Sequence, residues 1–142
     1  MAYTTINKSS DYFNTKLWTG NATDNTTISG VGFQPDFTWI KERSNISSHH
    51  LQDSVRGATK ALISNSSGAE NISSTRLKSW NSDGFVIGTS GAVNASSDTY
   101  ASWNWLANGT GSANTVGSIN STVSVNTTSG FSIVKYTANG TQ

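Results

Sequence analysis

Cysteine is absent from this 142-residue chain, and proline occurs once, at Pro35. Without cysteine the fold can use neither disulfides nor thiolate metal sites, so packing and backbone hydrogen bonds must hold it together. Charged residues make up 12% of the chain and the formal net charge is +1, which argues against nucleic-acid binding because such binders carry a clustered basic face. No stretch approaches the roughly 18 to 20 apolar residues of a membrane span, and the first residues lack the apolar core of a signal peptide. We therefore expect neither membrane insertion nor secretion by that route.

Aromatic residues supply the bulk that this polar chain needs in order to fold. Five Trp, five Phe and four Tyr are spread through segments rich in Ser, Thr, Asn and Gly, and the length suits one sizeable core. We expect an N-terminal arm over residues 1–11 and a single domain over 12–142.

Alternation of polar and apolar residues is the main secondary-structure signal. In the run 36–41, Phe37 and Trp39 alternate with Thr38 and Ile40, as in a strand with two different faces. Trp103 and Trp105 alternate with Ser102 and Asn104 in the same way. That second run spans 100–106, and four further strand-like runs are 16–19, 84–88, 121–125 and 131–136.

About seven to nine short strands at this spacing predict an all-β fold, an antiparallel β-sandwich of jelly-roll or concanavalin-like type. At most one short helix is expected, near 54–65, where Val55, Ala58, Ala61 and Leu62 share one side.

The two ends of the domain are similar to each other. Residues 12–23 align with 130–141 through a shared Phe, Asn and two Thr, and an aromatic residue is kept at Trp18 and Tyr136. Either 130–142 begins a second repeat in a longer parent chain, or the last strand pairs with the first sheet. The similarity favours the first alternative.

Four blocks in a fixed order carry a resemblance to a known family: GVGFQPDFTWIKERS at 30–44, DSVRGATK at 53–60, SDGF at 82–85 and YASWNW at 100–105. They resemble a family of uncharacterised virion proteins of marine and cyanobacterial phages. That family is found in tail-fibre-like and other structural proteins, often with concanavalin-like sandwich domains. The resemblance covers most of 12–106 and fades after Leu106, and it implies no catalytic residue.

The blocks supply the candidate structural or contact residues. Trp39 to Arg43 leads an aromatic strand into a charged rim, Asp53 and Arg56 are spaced to form a charge-assisted hydrogen bond, and Gly57 would permit a turn after them. The tryptophans at 103 and 105 fit a buried core better than a sugar platform. The full set is Trp39, Lys41, Arg43, Asp53, Arg56, Asp83, Trp103, Asn104 and Trp105.

Catalytic and metal-binding patterns are weak. His49 and His50 are adjacent, and neighbours on a strand point to opposite faces and cannot easily share a metal. The acidic residues are scattered singly and match neither a calcium loop nor a glycosidase pair. We predict no catalytic residue, no metal and no cofactor.

The main hypothesis is a non-enzymatic virion component, a tail-fibre or surface decoration module made in the host bacterial cytoplasm. It would pack against other virion proteins and copies of itself as a homo-oligomer. The alternative is a carbohydrate-binding module for host recognition, which exposure of Trp18, Trp80 or Trp103 in a groove would favour and burial of all three would oppose. A glycan-cleaving enzyme is a third hypothesis, which needs two facing carboxylates about 5 to 10 Å apart.

Overall fold

The structure, a computed structural model, describes residues 5–140. Within this range a short 3-10 turn at Ser9–Asp11 precedes the first strand, and one short helix, α1, spans Gly91–Asn94. The strands are β1 Phe13–Thr19, β2 Thr26–Ile28, β3 Phe37–Glu42, β4 His49–Asp53, β5 Lys60–Ile63, β6 Asn71–Ile72, β7 Leu77–Asn81, β8 Gly84–Ile87, β9 Thr99–Trp105, β10 Ser112–Asn114, β11 Ser121–Asn126 and β12 Phe131–Tyr136.

Three antiparallel sheets form the all-β sandwich that the sequence predicts. The largest has six strands in the order β1-β9-β3-β4-β5-β6, and the two smaller sheets are β2-β8-β7 and β10-β11-β12. The three tryptophan-bearing strands of the six-stranded sheet are adjacent, since β9 lies between β1 and β3.

The core lies between the six-stranded sheet and the β2-β8-β7 sheet. Strand β3 turns Thr38 and Ile40 inward, and both are fully buried. Ile40 belongs to one buried apolar cluster with side chains from the opposing sheet and the connecting loops, which are Ile28, Val31, Phe33, Leu77, Phe85, Ile87 and Val93. Burial of this cluster is the main source of stability in a chain without disulfides.

The helix expected near 54–65 is absent, and this prediction is wrong. The Asp53 carboxylate accepts hydrogen bonds from the backbone N–H groups of Val55 and Arg56, which produces a turn. Gly57 then adopts φ +106, outside the right-handed helical region. The next residues form β5, which pairs with β4 and β6. The helix that does form, α1, begins after Ser90, whose hydroxyl accepts from the Ala92 N–H.

The strand predictions agree with the structure at the level of individual faces. Strand β12 has the predicted bounds 131–136, and it pairs with β11 instead of the first sheet.

The arm predicted at 1–11 includes residues 1–4, and the repeat predicted at 130–142 includes residues 141–142, which lie outside the described range. Among the described residues, no helix is long and apolar enough to cross a membrane.

Candidate binding face

The six-stranded sheet has a second face, directed away from the core, that is rich in apolar side chains. Trp39 on β3 is paired directly with Trp103 on β9. Leu17 and Leu62, towards the two sides of this face, are 62% and 43% exposed. We call this surface the outer face, and strand alternation assigns to it Phe13, Thr15, Leu17, Phe37, Trp39, Lys41, His49, Leu51, Asp53, Lys60, Leu62, Ala101, Trp103 and Trp105.

Trp39 is held in one orientation by its neighbour on β4. Its Nε1–H donates a hydrogen bond of 3.0 Å to Nδ1 of His49, and the two ring centroids are 5.6 Å apart. An Nδ1 atom that accepts a hydrogen bond leaves the imidazole proton on Nε2. The Trp103 ring lies 5.8 Å from Trp39 at an angle of 58°, so the two indoles form adjoining tilted walls.

Trp105 is fixed by three phenylalanines. Its ring lies 4.8 Å from Phe13 and 5.3 Å from Phe37, and it is stacked at 6.0 Å on Phe131 of β12. Phe131 therefore attaches the β10-β11-β12 sheet to one end of the outer face. Aromatic pairs of this kind contribute about 0.5–1.5 kcal/mol each beyond the area they bury.

Two hollows meet at Trp105. One, of about 260 Å³, is lined by Trp39, Trp103 and Trp105. The other, of about 320 Å³, includes Trp105, Phe13 and Phe131 among its lining residues. The two hollows share Trp105, and we refer to them together as the aromatic depression.

Positive charge predominates around this depression. Lys41 and Lys60 lie on the outer face, and the Lys41 ammonium donates to the main-chain oxygen of Glu42. Asp53 is the one carboxylate that strand alternation assigns to this face among the described residues, and it shares the Arg56 guanidinium with Glu70. Arg43, one of the predicted contact residues, is exposed just beyond the end of β3.

Asp53 and Arg56 form the hydrogen bond that their spacing predicts, and it braces a turn. Arg56 Nε lies 2.6 Å from Asp53 Oδ2, with the side chains 12% and 5% exposed. The same guanidinium donates to the carbonyl of Leu51 and to the carboxylate of Glu70. The pair therefore joins β4, the following turn and the loop before β6.

Asp83 is a second loop brace. Its two carboxylate oxygens accept 2.8 Å hydrogen bonds from the N–H groups of Gly30 and Gly32. These backbone bonds, from Gly30 first and then Gly32, lower the pKa of Asp83, and Lys16 adds a smaller effect in the same direction. The carboxylate therefore links the loop at 30–32 to the turn between β7 and β8, and it does not belong to the outer face.

Asn104 lies on the inner side of β9 and is fully buried. Its amide donates to the carbonyl of Asn14 and to the hydroxyl of Ser102.

His50, the neighbour of His49, also points inward, as the alternation predicts. Burial, followed by the charges of Arg76, His49 and Lys41, lowers the pKa of His50 to about 4.

The five tryptophans divide between the two sides of the sheet. Trp18 and Trp80 pack against the core, and their Nε1–H groups donate to the Val93 carbonyl and the Thr38 hydroxyl. Trp39, Trp103 and Trp105 line a hollow on the outer face. The prediction that Trp103 and Trp105 form part of the buried core is therefore wrong. They are half-buried on the face opposite the core, because the pairing of β9 with β3 turns both outward.

Sequence reasoning missed His49 and Phe131 as parts of this surface. Both lie on short strands whose faces could be guessed from alternation, but their contacts with Trp39 and Trp105 depend on which strands pair. Among the described residues, no group of three or more His, Cys, Asp or Glu side chains is placed to hold a metal ion.

A protein-family model described as a domain of unknown function, DUF7483, matches residues 8–142. The chain belongs to this family. The part that matches DUF7483 includes all three sheets and the whole outer face. No curated protein and no solved structure matches the chain. The chemistry of its surfaces must therefore indicate what this DUF7483 domain does.

Proposed function

We propose that this DUF7483 domain is a non-enzymatic structural module of a tailed-bacteriophage virion, in a tail fibre or a surface decoration. It is made in the host bacterial cytoplasm and acts by packing against other virion proteins and copies of itself. The four sequence blocks that resemble phage virion proteins support the setting. The observation that carries the packing role is an apolar surface on the β10-β11-β12 sheet.

This surface, which we call the small-sheet face, consists of Val123, Val125, Val134 and Tyr136. Val123 pairs with Val134 across β11 and β12, so their side chains share one side of the sheet. Val125, Val134 and Tyr136 are 41%, 53% and 63% exposed. Contiguous exposed apolar side chains on a folded domain are typical of protein–protein contact sites.

The opposite side of the small sheet is already used to hold it to the domain. Ser124 is fully buried, and its hydroxyl accepts a 2.8 Å hydrogen bond from the Asn108 N–H. Phe131 contacts Trp105 and Phe37 from the same side. The small sheet is thus a platform that is fixed on one side and directs valine and tyrosine side chains outward.

The setting is tested on purified particles of the phage that encodes this chain. Intact-mass spectrometry and a cryo-EM reconstruction would give its stoichiometry and position. We expect a fixed number of copies at symmetric positions on the tail or head. Absence of the chain from infectious particles would overturn the virion assignment.

The surface is tested by charge insertion. Val134→Asp places a carboxylate in the small-sheet face and should abolish self-association or incorporation into particles, because burying an unpaired charge is costly. Ile72→Asp is the matched control, since Ile72 is an equally apolar side chain, 69% exposed, on β6. If both variants assemble like the unmodified chain, packing through the small-sheet face is wrong.

A further inference from the structure

The indole donors of the five tryptophans are used unequally. Trp18, Trp39 and Trp80 each donate their Nε1–H to a protein acceptor at 3.0 Å. Trp103 and Trp105 donate theirs to no partner among the described residues, although both rings line the outer hollow. Neither nitrogen is among the buried polar atoms that lack a partner, so both N–H groups are open to solvent. Two solvent-accessible donors beside one hollow can therefore bind a ligand that carries acceptors.

The rings are also held in place before any ligand arrives. Trp39 is fixed by His49, and Trp105 is enclosed by Phe13, Phe37 and Phe131. A rigid aromatic wall loses little conformational entropy when it binds, which favours weak, polar ligands that could not order a flexible site.

From this geometry we propose that the Trp39–Trp103–Trp105 hollow binds a pyranose ring of an acidic polysaccharide. A pyranose has an apolar C–H face that packs on an indole and a rim of hydroxyl oxygens that accept hydrogen bonds from Nε1–H groups. The second hollow shares Trp105 and adds the rings of Tyr12, Phe13 and Phe131. Two adjoining hollows fit neighbouring sugars of one chain better than a single small molecule.

The charged side chains on the outer face favour an acidic glycan over a neutral one. Lys41 and Lys60 belong to the outer face, and Arg43 is exposed beyond its edge. Asp53 and Glu70 share the guanidinium of Arg56. Four cationic side chains therefore stand against two carboxylates, and this excess of positive charge on the outer face disfavours cationic ligands and attracts carboxylate or sulfate groups. This site does not depend on the packing role of the small-sheet face, so either proposal can fail alone.

The five indole N–H signals in a ¹⁵N–¹H correlation spectrum test the proposal on the unmodified chain. Trigalacturonate is the acidic probe and maltotriose the neutral one. We expect trigalacturonate to shift the Trp103 and Trp105 signals in a saturable manner, more weakly at high salt. The Trp18 and Trp80 signals should stay in place, because these rings pack against the core and their N–H groups are already bonded to protein acceptors. If trigalacturonate shifts no outer-face indole, or maltotriose binds as tightly, the proposed acidic-glycan site is wrong.

Three variants identify the residues that contribute to binding. Trp103→Ala should weaken trigalacturonate binding by about tenfold or more, as expected of a central aromatic contact. Tyr136→Ala removes an exposed aromatic ring from the small-sheet face and should leave the affinity unchanged. Lys41→Gln should weaken binding of trigalacturonate and reduce its dependence on salt. If the Tyr136 variant loses as much affinity as the Trp103 variant, the ligand binds elsewhere.

Discussion

Trp39 and His49 lie on adjacent strands and are joined side chain to side chain by a 3.0 Å hydrogen bond from Nε1 to Nδ1. The bond connects β3 to β4 on the outer face, outside the core. It places one wall of the aromatic hollow and fixes which imidazole nitrogen carries the proton. The aromatic surface that we propose to bind glycan is thereby made rigid by the same contact that supports the strand pair.

His49→Ala should release Trp39 without disturbing the core. The lost hydrogen bond should lower the free energy of unfolding by about 1 kcal/mol, and the Trp39 indole N–H should exchange faster with solvent. Denaturant unfolding and indole hydrogen exchange measure the two effects. The Trp80 indole, bonded to Thr38 inside the sandwich, is the internal control. Unchanged exchange at Trp39 would show that His49 does not hold the ring.

Asp53→Asn should be strongly destabilising, because the Arg56 guanidinium would lose its closest anionic partner in a site where both side chains are nearly buried. Removing one member of a buried ion pair typically costs about 3–5 kcal/mol, and retention of Glu70 beside Arg56 should keep the loss near the lower value. Thermal and urea unfolding would measure it.

Asp11→Asn is the matched comparison for that ion pair. Asp11 and Lys8 have the same three-residue spacing and a 2.7 Å separation, but their side chains are 55% and 70% exposed. An exposed pair contributes at most about 1 kcal/mol. Equal losses in the two variants would mean that burial does not give the Asp53–Arg56 pair its importance.

Gly84→Ala and Gly57→Ala separate two reasons for glycine. Both residues have positive φ, +154 and +106, but a β-carbon at Gly84 would lie 2.0 Å from the carbonyl oxygen of Ile28, whereas nothing lies within 4 Å at Gly57. Gly57→Ala should therefore cost about 1–3 kcal/mol in backbone strain alone. Gly84→Ala should cost clearly more, since β2 must move away from β8. Similar unfolding midpoints for the two variants would contradict this.

The faces of individual strands could be predicted because they depend on local alternation. Phe37 and Trp39 do lie opposite Thr38 and Ile40, and the Asn81–Gly84 turn does enter a strand. Which face becomes the core depends on the partner sheet, and alternation alone carries no such information. For this reason the sequence predicts Trp103 in the buried core, whereas its side chain lies on the outer face.

Contacts distant in sequence were also beyond prediction. Phe131 reaches Trp105 because β12 pairs with β11 and the small sheet then folds back onto β9. The prediction of a helix near 54–65 is wrong although Val55, Ala58, Ala61 and Leu62 fit a helical spacing. The Asp53 carboxylate and the positive φ of Gly57 outweigh that weak preference.

His50 should make the stability of the fold depend on pH. This residue is 4% exposed, and burial, followed by the electrostatic effects of Arg76, His49 and Lys41, lowers its pKa to about 4, whereas an unfolded histidine has a pKa near 6.5. The unfolded chain therefore binds a proton more readily than the folded chain. The stabilising contribution is complete above about pH 6.5 and is lost as the pH falls towards 4, by up to about 1.4 kcal/mol per pH unit.

Urea unfolding between about pH 7 and pH 4.5 would measure this loss of stability. This pH range lies above the one in which folded Asp83, with its lowered pKa, becomes protonated. His50→Gln should flatten the dependence, since no imidazole is then buried between the sheets. His49→Gln, on the opposite face of the same strand, should retain most of the slope. If the slope survives in the His50 variant, burial of the His50 imidazole is not what makes the stability of the fold depend on pH.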